Sequence, residues 1–180
     1  RLLLSKSEID INKAEEDGCT ALLVASQDNC IEVVRLLLSK SGIDINKAKK
    51  DGATALYIAS EQGHLEVVRL LLSKSDIDIN KAEEDGGTAL FMASQLGHVE
   101  VVRLLLSKSD IDINKATNNG GTALFIASEL GHVEVVQLLL SKSEIDITKG
   151  MSGYTPIKIA KSTGHTEIAN LLQVHLQVEE

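Results

Sequence analysis

Histidine and glutamate recur together in three nearly identical stretches: GHLEVVRLLLSK (63–74), GHVEVVRLLLSK (97–108) and GHVEVVQLLLSK (131–142). Imidazole and carboxylate groups can bind metals or transfer protons. His98 and Glu100, however, are two positions apart on a predicted helix, so their side chains do not face each other. Equivalent histidines of neighbouring copies would lie about 8–10 Å apart, whereas zinc needs each nitrogen about 2.1 Å from one point. We therefore predict that these histidines form structural hydrogen bonds between copies. They are His64, His98, His132 and His165.

A second pattern, DIDIN at 76–80, matches the opening of a calcium-binding loop. Such a loop needs glycine at its sixth position and glutamate at its twelfth, but this chain has Lys81 and Gly87 there. We exclude calcium and expect the Asp and Asn side chains to hold a turn by bonds to the backbone. The sequence also lacks a glycine-rich phosphate loop, an HExxH motif and a nucleophile elbow. We therefore predict no catalytic residues, no metal and no cofactor.

Composition narrows the class of protein. The chain has 180 residues, of which 43% are hydrophobic and 24% charged, as is typical of soluble globular proteins. Its formal net charge is −8, and its 18 Lys and Arg are scattered rather than gathered in the basic stripe that nucleic acid binding needs. No apolar run approaches the roughly 20 residues that span a bilayer, and the N-terminal sequence lacks a signal peptide's apolar region. We expect no nucleic acid partner and no membrane partner.

The two cysteines indicate the compartment. Cys19 and Cys30 are separated by a predicted helical segment, whose rise of about 1.5 Å per residue holds them beyond the ~7 Å limit for a disulfide. Free thiols are typical of reducing compartments. We therefore predict a cytoplasmic or nuclear protein.

Threonine marks an internal repeat. The spacings between the aligned threonines are 34, 34, 34 and 33 residues, and the threonines are Thr20, Thr54, Thr88, Thr122 and Thr155. A fixed period of this length indicates an array of stacked units. We treat the array as one domain. Its units are a partial unit at 1–16, then 17–50, 51–84, 85–118, 119–151 and 152–180.

One unit predicts two helices and a connecting segment. Thr88 is a good N-cap for a short first helix, and Gly97 ends that helix in a left-handed conformation. Apolar residues then recur at helical intervals. They are Leu90, Met92 and Ala93 in the first helix, and Val99, Val102, Leu105 and Leu106 in the second. The Ile-Asp-Ile-Asn that follows alternates apolar and polar residues, so we predict an extended finger that turns over near EEDG.

The repeated pattern is D/N/S-G-x-T-A/P-L/I-x-x-A-S/K, then G-H-x-E-V/I, a leucine-rich run and I-D-I-N/T. It resembles the ankyrin repeat, whose core signature is T-P-L-H-x-A. The tetratricopeptide repeat has a similar period, but its Trp, Leu-Gly and Tyr landmarks are missing here. The resemblance implies an all-α solenoid of helix-turn-helix units with β-turn fingers. It also implies a concave groove in which ankyrin proteins hold protein partners.

The chain departs from the family pattern at three points. The proline after threonine survives only as Pro156. The histidine of the T-P-L-H signature is replaced in every unit, and the replacing residues are Leu23, Tyr57, Phe91, Phe125 and Lys158. The glycine that normally caps the second helix has become Ser-Lys-Ser, so we expect less tightly closed helix ends. We expect the aromatic residues of this position to be buried between stacked helices rather than to form a binding ridge, and Tyr154 to be exposed.

Differences between units indicate where a partner binds. Successive fingertips read EED, KKD, EED and TNN, so a partner in the groove would meet acidic, basic, acidic and neutral positions, with leucines beside them as apolar anchors. The alternative is that solvent-facing positions drift freely. The candidate partner-binding residues are Glu15, Glu16, Asp17, Lys49, Lys50, Asp51, Glu61, Gln62, Glu83, Glu84, Asp85, Gln95, Leu96, Asn118, Asn119, Glu129, Leu130 and Tyr154.

The sequence thus favours a monomeric, non-enzymatic scaffold that binds a protein. Two alternatives stay open: a structural spacer or spring without a specific partner, and a targeting module of a larger multidomain protein. Lys158, Lys161 and Thr163 give the last unit the polar character of a C-terminal cap. Because RLLLSK begins inside a predicted second helix, we expect the chain to be a fragment of a longer array.

Overall fold

The computed structural model describes residues 10–178. Within that range ten helices follow one another, and each full sequence unit contains two of them. The odd-numbered helices are the first helices of their units and the even-numbered ones are the second. They are α1 (Ala21–Gln27), α2 (Ile31–Leu38), α3 (Ala55–Glu61), α4 (Leu65–Leu71), α5 (Ala89–Gln95), α6 (Val99–Leu105), α7 (Ala123–Leu130), α8 (Val133–Leu140), α9 (Pro156–Ser162) and α10 (Thr166–Val178). The described residues form no sheet, which confirms the all-α prediction.

Threonine begins the first helices, as predicted. The Oγ1 atom of Thr88 accepts a hydrogen bond from the Phe91 amide at 3.2 Å, which satisfies one of the amides left unpaired at a helix start. The same cap is formed by Thr20, Thr54 and Thr122. Helix α9 instead has Pro156 in its first turn, where an amide donor is not needed. Gly97 follows α5 with a φ of 70°, which confirms its left-handed conformation.

The core runs through the whole array as one cluster. In the unit at 85–118, Leu90 is 1% exposed, and Val102 and Leu105 are 0% exposed. Val99 and Met92 are only half-buried. Each fully buried Leu or Val contributes about 1.5–3 kcal/mol relative to exposure to water. A helix pair therefore gains most of its stability from the neighbours that cover it.

Neighbouring units meet chiefly through their first helices. First helices contact each other more extensively than second helices do. They meet through small residues such as Ala59 and Ser60, both 0% exposed, whereas the second helices carry Val and Leu at their contacts. Because smaller side chains allow helix axes to come closer, we expect the array to curve towards its first helices, which would then line the inner side.

The predicted turn near EEDG is confirmed, since residues 84–86 bend the chain there and Gly86 has a φ of 86°, but Ile-Asp-Ile-Asn is not extended throughout. Its last two residues lie in a turn, and isolated bridges such as Ala48–Thr54 join the base of a finger. Asp78 bends the chain because its Oδ1 atom accepts a hydrogen bond from the Asn80 amide at 3.1 Å. That turn sends Ile79, which is 2% exposed, into the core. The predicted bond from side chain to backbone is therefore confirmed, although the fully extended conformation of Ile-Asp-Ile-Asn is not.

Serine closes the second helices, whose ends we expected to be less tightly closed than those with a glycine cap. Ser107 Oγ donates to the carbonyl oxygen of Leu104 at 2.6 Å, and the Lys108 amide donates to Leu105 at 3.1 Å. The same serine bond recurs at Ser39, Ser73 and Ser141. A hydroxyl thus satisfies a terminal carbonyl at the point where a glycine cap is missing.

Asparagine links the fingers of neighbouring units. Asn80 Nδ2 donates to the carbonyl oxygen of Asp110 at 2.7 Å, and Asn80 Oδ1 accepts from the Asp112 amide at 2.8 Å. Lys115 Nζ donates to the Asn80 carbonyl oxygen at 2.8 Å. The two side-chain amide bonds recur at Asn12, Asn46 and Asn114. These bonds fix the register of each finger on the next.

Replacing Asn80 by alanine should therefore destabilise the array. The variant Asn80→Ala loses two hydrogen bonds between units, so we expect the free energy of unfolding to fall by roughly 1–3 kcal/mol. Urea denaturation monitored by circular dichroism measures this change. The control is Thr148→Ala at the last equivalent position, where the side chain bonds only to Asp146 in its own turn. A loss for Thr148→Ala as large as that for Asn80→Ala would contradict the linking role.

Candidate protein-binding surface

Backbone hydrogen bonds join the fingertips into a row. The Glu84 amide donates to the carbonyl oxygen of Asp51 at 2.7 Å. The same bond joins Lys50 to Asp17 at 2.9 Å and Asn118 to Asp85 at 2.8 Å. Each tip is therefore held at a fixed step from the next. Charged side chains on these tips form an ordered series rather than a set of independent loops.

The KKD tip neutralises part of its own charge. Lys49 Nζ lies 3.0 Å from Asp51 Oδ2, and Asp51 Oδ1 accepts from the Ala53 amide at 3.0 Å. The Ala53 amide and the Lys49 ammonium hold the pKa of Asp51 below its usual value. The hydrogen bond to Asp51 and the negative charge of Asp51 raise the pKa of Lys49. Lys50, which is exposed, is therefore the residue of this tip that presents positive charge outward.

The second EED tip turns one of its acids inward. Glu83 Oε1 accepts from the Gly87 amide at 3.0 Å and the residue is half-buried. In the next unit Thr117 Oγ1 accepts from the Gly121 amide at 3.1 Å in the same way. Glu84 is left exposed, as is the aspartate that follows it. The acidic character of this tip therefore comes chiefly from its second and third residues.

Two leucines add apolar surface beside the tips. Leu96 is 46% exposed and Leu130 is 47% exposed, each at the end of a first helix. The equivalent positions of the two preceding units hold Asp28 and Gln62, which are exposed polar residues. The prediction that both leucines are exposed is confirmed. At this position the surface therefore changes from polar at Asp28 and Gln62 to apolar at Leu96 and Leu130.

Most of the candidate residues are accessible. The exposed ones are Glu15, Glu16, Asp17, Lys50, Asp51, Gln62, Glu84, Asp85, Leu96, Asn118, Asn119, Leu130 and Tyr154. The half-buried ones are Lys49, Glu61, Glu83, Gln95 and Glu129. The charge order read from the sequence, acidic, basic, acidic and neutral, is thus the order on the surface. Sequence reasoning did not foresee the inward turn of Glu83, because the Gly87 amide that binds it becomes available only in the folded turn.

The repeated histidines hold neighbouring units together, as predicted. His98 Nε2 lies 2.9 Å from the carbonyl oxygen of Glu61 in the preceding unit. The same bond is made by His64 to Gln27, His132 to Gln95 and His165 to Glu129. A Cβ atom at Gly63 would lie 2.8 Å from the His98 ring, so this position needs glycine for space as well as for its φ of 70°. In residues 10–178 no group of three or more His, Cys, Asp or Glu side chains could hold a metal ion.

Aromatic side chains stand between the inner surface and the core. Phe125 is 1% exposed, whereas Tyr57 and Phe91 are half-buried, so the predicted burial is confirmed fully only for Phe125. A Cβ atom at Gly87 would lie 3.7 Å from the Tyr57 ring, which shows the ring packed on the next unit. Burial, and then the charge of Glu83, raises the pKa of Tyr57 to about 12.

A family model described as ankyrin repeats (3 copies) matches residues 1–83, 42–117, 75–151 and 110–179. The chain therefore belongs to the ankyrin repeat family. Ankyrin repeats are generally protein–protein interaction modules without catalytic activity. No curated protein matches the chain. None of the helices between residues 10 and 178 has the length and apolar character required to cross a membrane.

Removal of a linking histidine should weaken the stack. His98→Ala leaves the Glu61 carbonyl oxygen without its donor and opens space above Gly63, so we expect a loss of roughly 1–3 kcal/mol in the free energy of unfolding. Cys30→Ala is the matched control, because Cys30 occupies the histidine position of its unit. Its thiol makes a weak hydrogen bond of 3.8 Å to the carbonyl oxygen of Asp28, two residues away in the same unit. We expect about 0.5 kcal/mol or less for the control in guanidinium denaturation. Equal losses for the two variants would refute the role of His98.

The raised pKa of Tyr57 should make stability sensitive to alkaline pH. Folded Tyr57 keeps its proton up to about 12, whereas the unfolded side chain loses it near 10.0. The unfolded state therefore binds fewer protons in this window, so the free energy of unfolding falls as the pH rises from 10 towards 12. We expect Tyr57→Phe, which introduces the residue of the next unit, to reduce that fall. Denaturation midpoints of both proteins at several alkaline pH values provide the measurement, and parallel curves would contradict the prediction.

Proposed function

We propose that this chain is a non-enzymatic scaffold that binds a protein partner along the surface formed by its fingertips and first helices. The observation that carries the proposal is the pair of half-exposed leucines, Leu96 and Leu130, beside a hydrogen-bonded row of charged tips. Exposed apolar groups rimmed by polar residues are typical of interaction sites. The surface lies on the inner side of the curve, where a partner would contact several units at once.

We further propose that the surface has a direction. The end near Glu15 is strongly charged, whereas the tip at Asn118 and Asn119 is neutral and lies in the units that carry the exposed leucines. A complementary partner would carry basic residues opposite the two EED tips and apolar residues opposite Leu96 and Leu130. The charges would set the association rate and register, and the apolar contacts would supply most of the affinity.

The setting we propose follows from the same residues. The array would act as one domain and as a monomer, without cofactor, nucleic acid or membrane partner. Cys19 and Cys30 are free thiols in the structure, which supports a reducing compartment, the cytoplasm or the nucleus. The burial of the Cys19 thiol, together with nearby Asp17, raises its pKa and makes it less reactive.

A structural spacer is the second candidate. Three rows of hydrogen bonds, made by the histidines, the asparagines and the fingertip amides, join successive units into one continuous array. A spacer needs only this continuity. It predicts that no protein binds specifically at micromolar concentration, and that variation at the tips has no consequence for binding.

Binding assays on surface variants separate the two candidates. Proteins retained by the immobilised chain are identified by mass spectrometry, and affinity is then measured for a variant with Glu84, Asp85, Gln95 and Leu96 all changed to alanine. We expect affinity to fall at least about tenfold, equivalent to roughly 1.4 kcal/mol. We also expect association of the unaltered protein to slow as salt is added.

The control changes Glu100 and Arg103 to alanine. These residues are exposed on α6, on the opposite helix of the same unit, and form a surface ion pair at 3.6 Å. We expect their replacement to leave affinity unchanged. Full binding by the fourfold variant would exclude the inner surface, and the absence of any specific partner would favour the spacer.

A further inference from the structure

The fourth fingertip contains a pair of residues that can react with each other. Asn119 is followed by Gly120, and no other asparagine of the chain is followed by glycine. The backbone nitrogen after an asparagine can attack the side-chain carbonyl carbon and close a cyclic imide, and glycine has no Cβ atom to hinder that approach. At the position of Asn119 the three preceding tips carry Asp17, Asp51 and Asp85. The fourth tip is therefore the one of these four that has an amide at this position.

The side chain of Asn119 is free to react. The residue is exposed, and its side-chain amide forms no hydrogen bond with any residue that the structure describes. Its neighbour Asn118 is also exposed, but its Nδ2 atom donates to the carbonyl oxygen of Glu84 at 2.9 Å. The side-chain amide of Asn80 is likewise held, by two bonds to the next finger. Asn119 thus differs from both in burden as well as in the residue that follows it.

The backbone at Asn119 is also less constrained than at the other tips. The carbonyl oxygens of the three aspartates each accept a hydrogen bond from an amide of the next tip, at 2.9, 2.7 and 2.8 Å along the chain. The carbonyl oxygen of Asn119 accepts no bond from residues 10–178. Within that range, the peptide group between residues 119 and 120 is held only by the Gly120 amide, which donates to the carbonyl oxygen of Thr117 at 2.8 Å.

The fifth tip explains why this bond between units is missing. The spacing from Thr122 to Thr155 is 33 residues, whereas the earlier spacings are 34. The shorter turn closes on itself, because the backbone amides and carbonyl oxygens of Met151 and Tyr154 bond to each other at 2.9 and 3.1 Å. In this turn no amide reaches the Asn119 carbonyl oxygen. Loss of one residue in the fifth tip therefore leaves the fourth tip unheld.

We propose that Asn119 is a site of spontaneous deamidation, which converts the neutral fourth tip into an acidic one. The Gly120 nitrogen forms a bond to Asn119 Cγ, the bond from Cγ to Nδ2 breaks, and Nδ2 leaves as ammonia with the proton of the Gly120 amide. Water then adds its hydroxyl to one of the two imide carbonyl carbons and returns a proton to the Gly120 nitrogen as that carbon–nitrogen bond breaks. Breaking the bond at Cγ gives aspartate, and breaking the bond at the main-chain carbonyl carbon gives isoaspartate.

The reaction requires the tip to open. The Gly120 amide must release the Thr117 carbonyl oxygen before its nitrogen can turn towards Asn119 Cγ. At each of the three preceding tips the same rotation would also disturb a bond to the next unit. One backbone hydrogen bond corresponds to about a fivefold change in the equilibrium for opening. We therefore expect an Asn-Gly pair to react faster at the fourth tip than at any of the other three.

The turn itself requires the glycine that makes the pair reactive. Gly120 has a φ of 89°, and a Cβ atom there would lie 2.8 Å from the carbonyl oxygen of Gly150. A side chain at position 120 would therefore strain the backbone and collide with the base of the next finger. The reactive pair follows from the fold once asparagine replaces the aspartate of the earlier tips.

Deamidation would extend the acidic part of the fingertip row. The series acidic, basic, acidic, neutral would become acidic, basic, acidic, acidic, with the new carboxylate one tip away from Glu84 and Asp85. A partner with basic residues opposite the EED tips would then meet a further acidic position. This consequence for binding rests on the proposed function, whereas the modification of Asn119 does not.

The test compares two Asn-Gly pairs in one molecule. The variant Asp85→Asn places the same pair in the third tip, whose carbonyl oxygen at position 85 accepts from the Asn118 amide at 2.8 Å. The protein is incubated at mildly alkaline pH, and peptide mass spectrometry follows conversion at positions 85, 118 and 119. We expect Asn119 to convert about five times faster than the asparagine introduced at position 85, and Asn118 to convert more slowly than both. In urea that unfolds the chain, positions 85 and 119 should convert at similar rates.

The change in charge is measured separately. The incubated protein without substitutions should give a new species that anion-exchange chromatography retains longer and that elutes with the variant Asn119→Asp. The variant Asn119→Gln is the control, because its longer side chain closes the ring more slowly, and it should give little of the new species.

Two results would overturn the proposal. The first is an Asn119 that stays unconverted in the folded protein while it converts in urea. The second is equal conversion of Asn119 and the introduced asparagine in folded Asp85→Asn, since the missing bond would then have no effect. Because these measurements involve no partner, either result leaves the proposed binding function untouched.

Discussion

The whole structure depends on the burial of apolar faces between neighbouring units. No helix pair covers its own Val, Leu and Ile side chains; each is covered by the pair before it and the pair after it. The valine series shows this most directly, since Val67, Val101 and Val135 lie between units and are 0–2% exposed, whereas Val33 in the unit 17–50 is 45% exposed. Stability is therefore a property of the interfaces, and it accumulates along the array rather than residing in one central core.

Apolar burial is not directional, so polar groups fix how each unit sits on the next. The histidine ring spans from one unit to a carbonyl of the previous unit, and the asparagine amide holds the fingers together. The fingertip amides continue the same register to the edge of the molecule. The histidine bond also requires a small residue in the preceding unit, because the ring of His98 occupies the space in which a side chain at Gly63 would lie.

This arrangement separates what must be constant from what can vary. Residues that link units face the neighbouring unit, and they recur almost unchanged. The fingertips carry their linking bonds on the backbone, so their side chains can change from Glu to Lys to Asn without loss of register. The ends of the first helices behave similarly, since their carbonyl oxygens accept the histidine bonds whatever the side chain is. Side chains on the surface that we propose as the binding site can thus vary without loss of the bonds between units.

The sequence alone determined the family, the all-α architecture, the threonine caps, the glycine helix ends and the linking role of histidine, because each rests on local chemistry repeated at a fixed period. It also located the exposed leucines, since they end helices whose apolar faces are already filled. Only the tertiary structure decided the rest. Ile-Asp-Ile-Asn has the alternation of a strand, but Asp78 finds a nearby amide and both isoleucines turn towards the core. The inward turn of Glu83 depends on the Gly87 amide, which becomes available only in the folded turn. The bonds of Asn80 join groups 30 and 32 residues away, and periodicity carries no information about which distant groups meet.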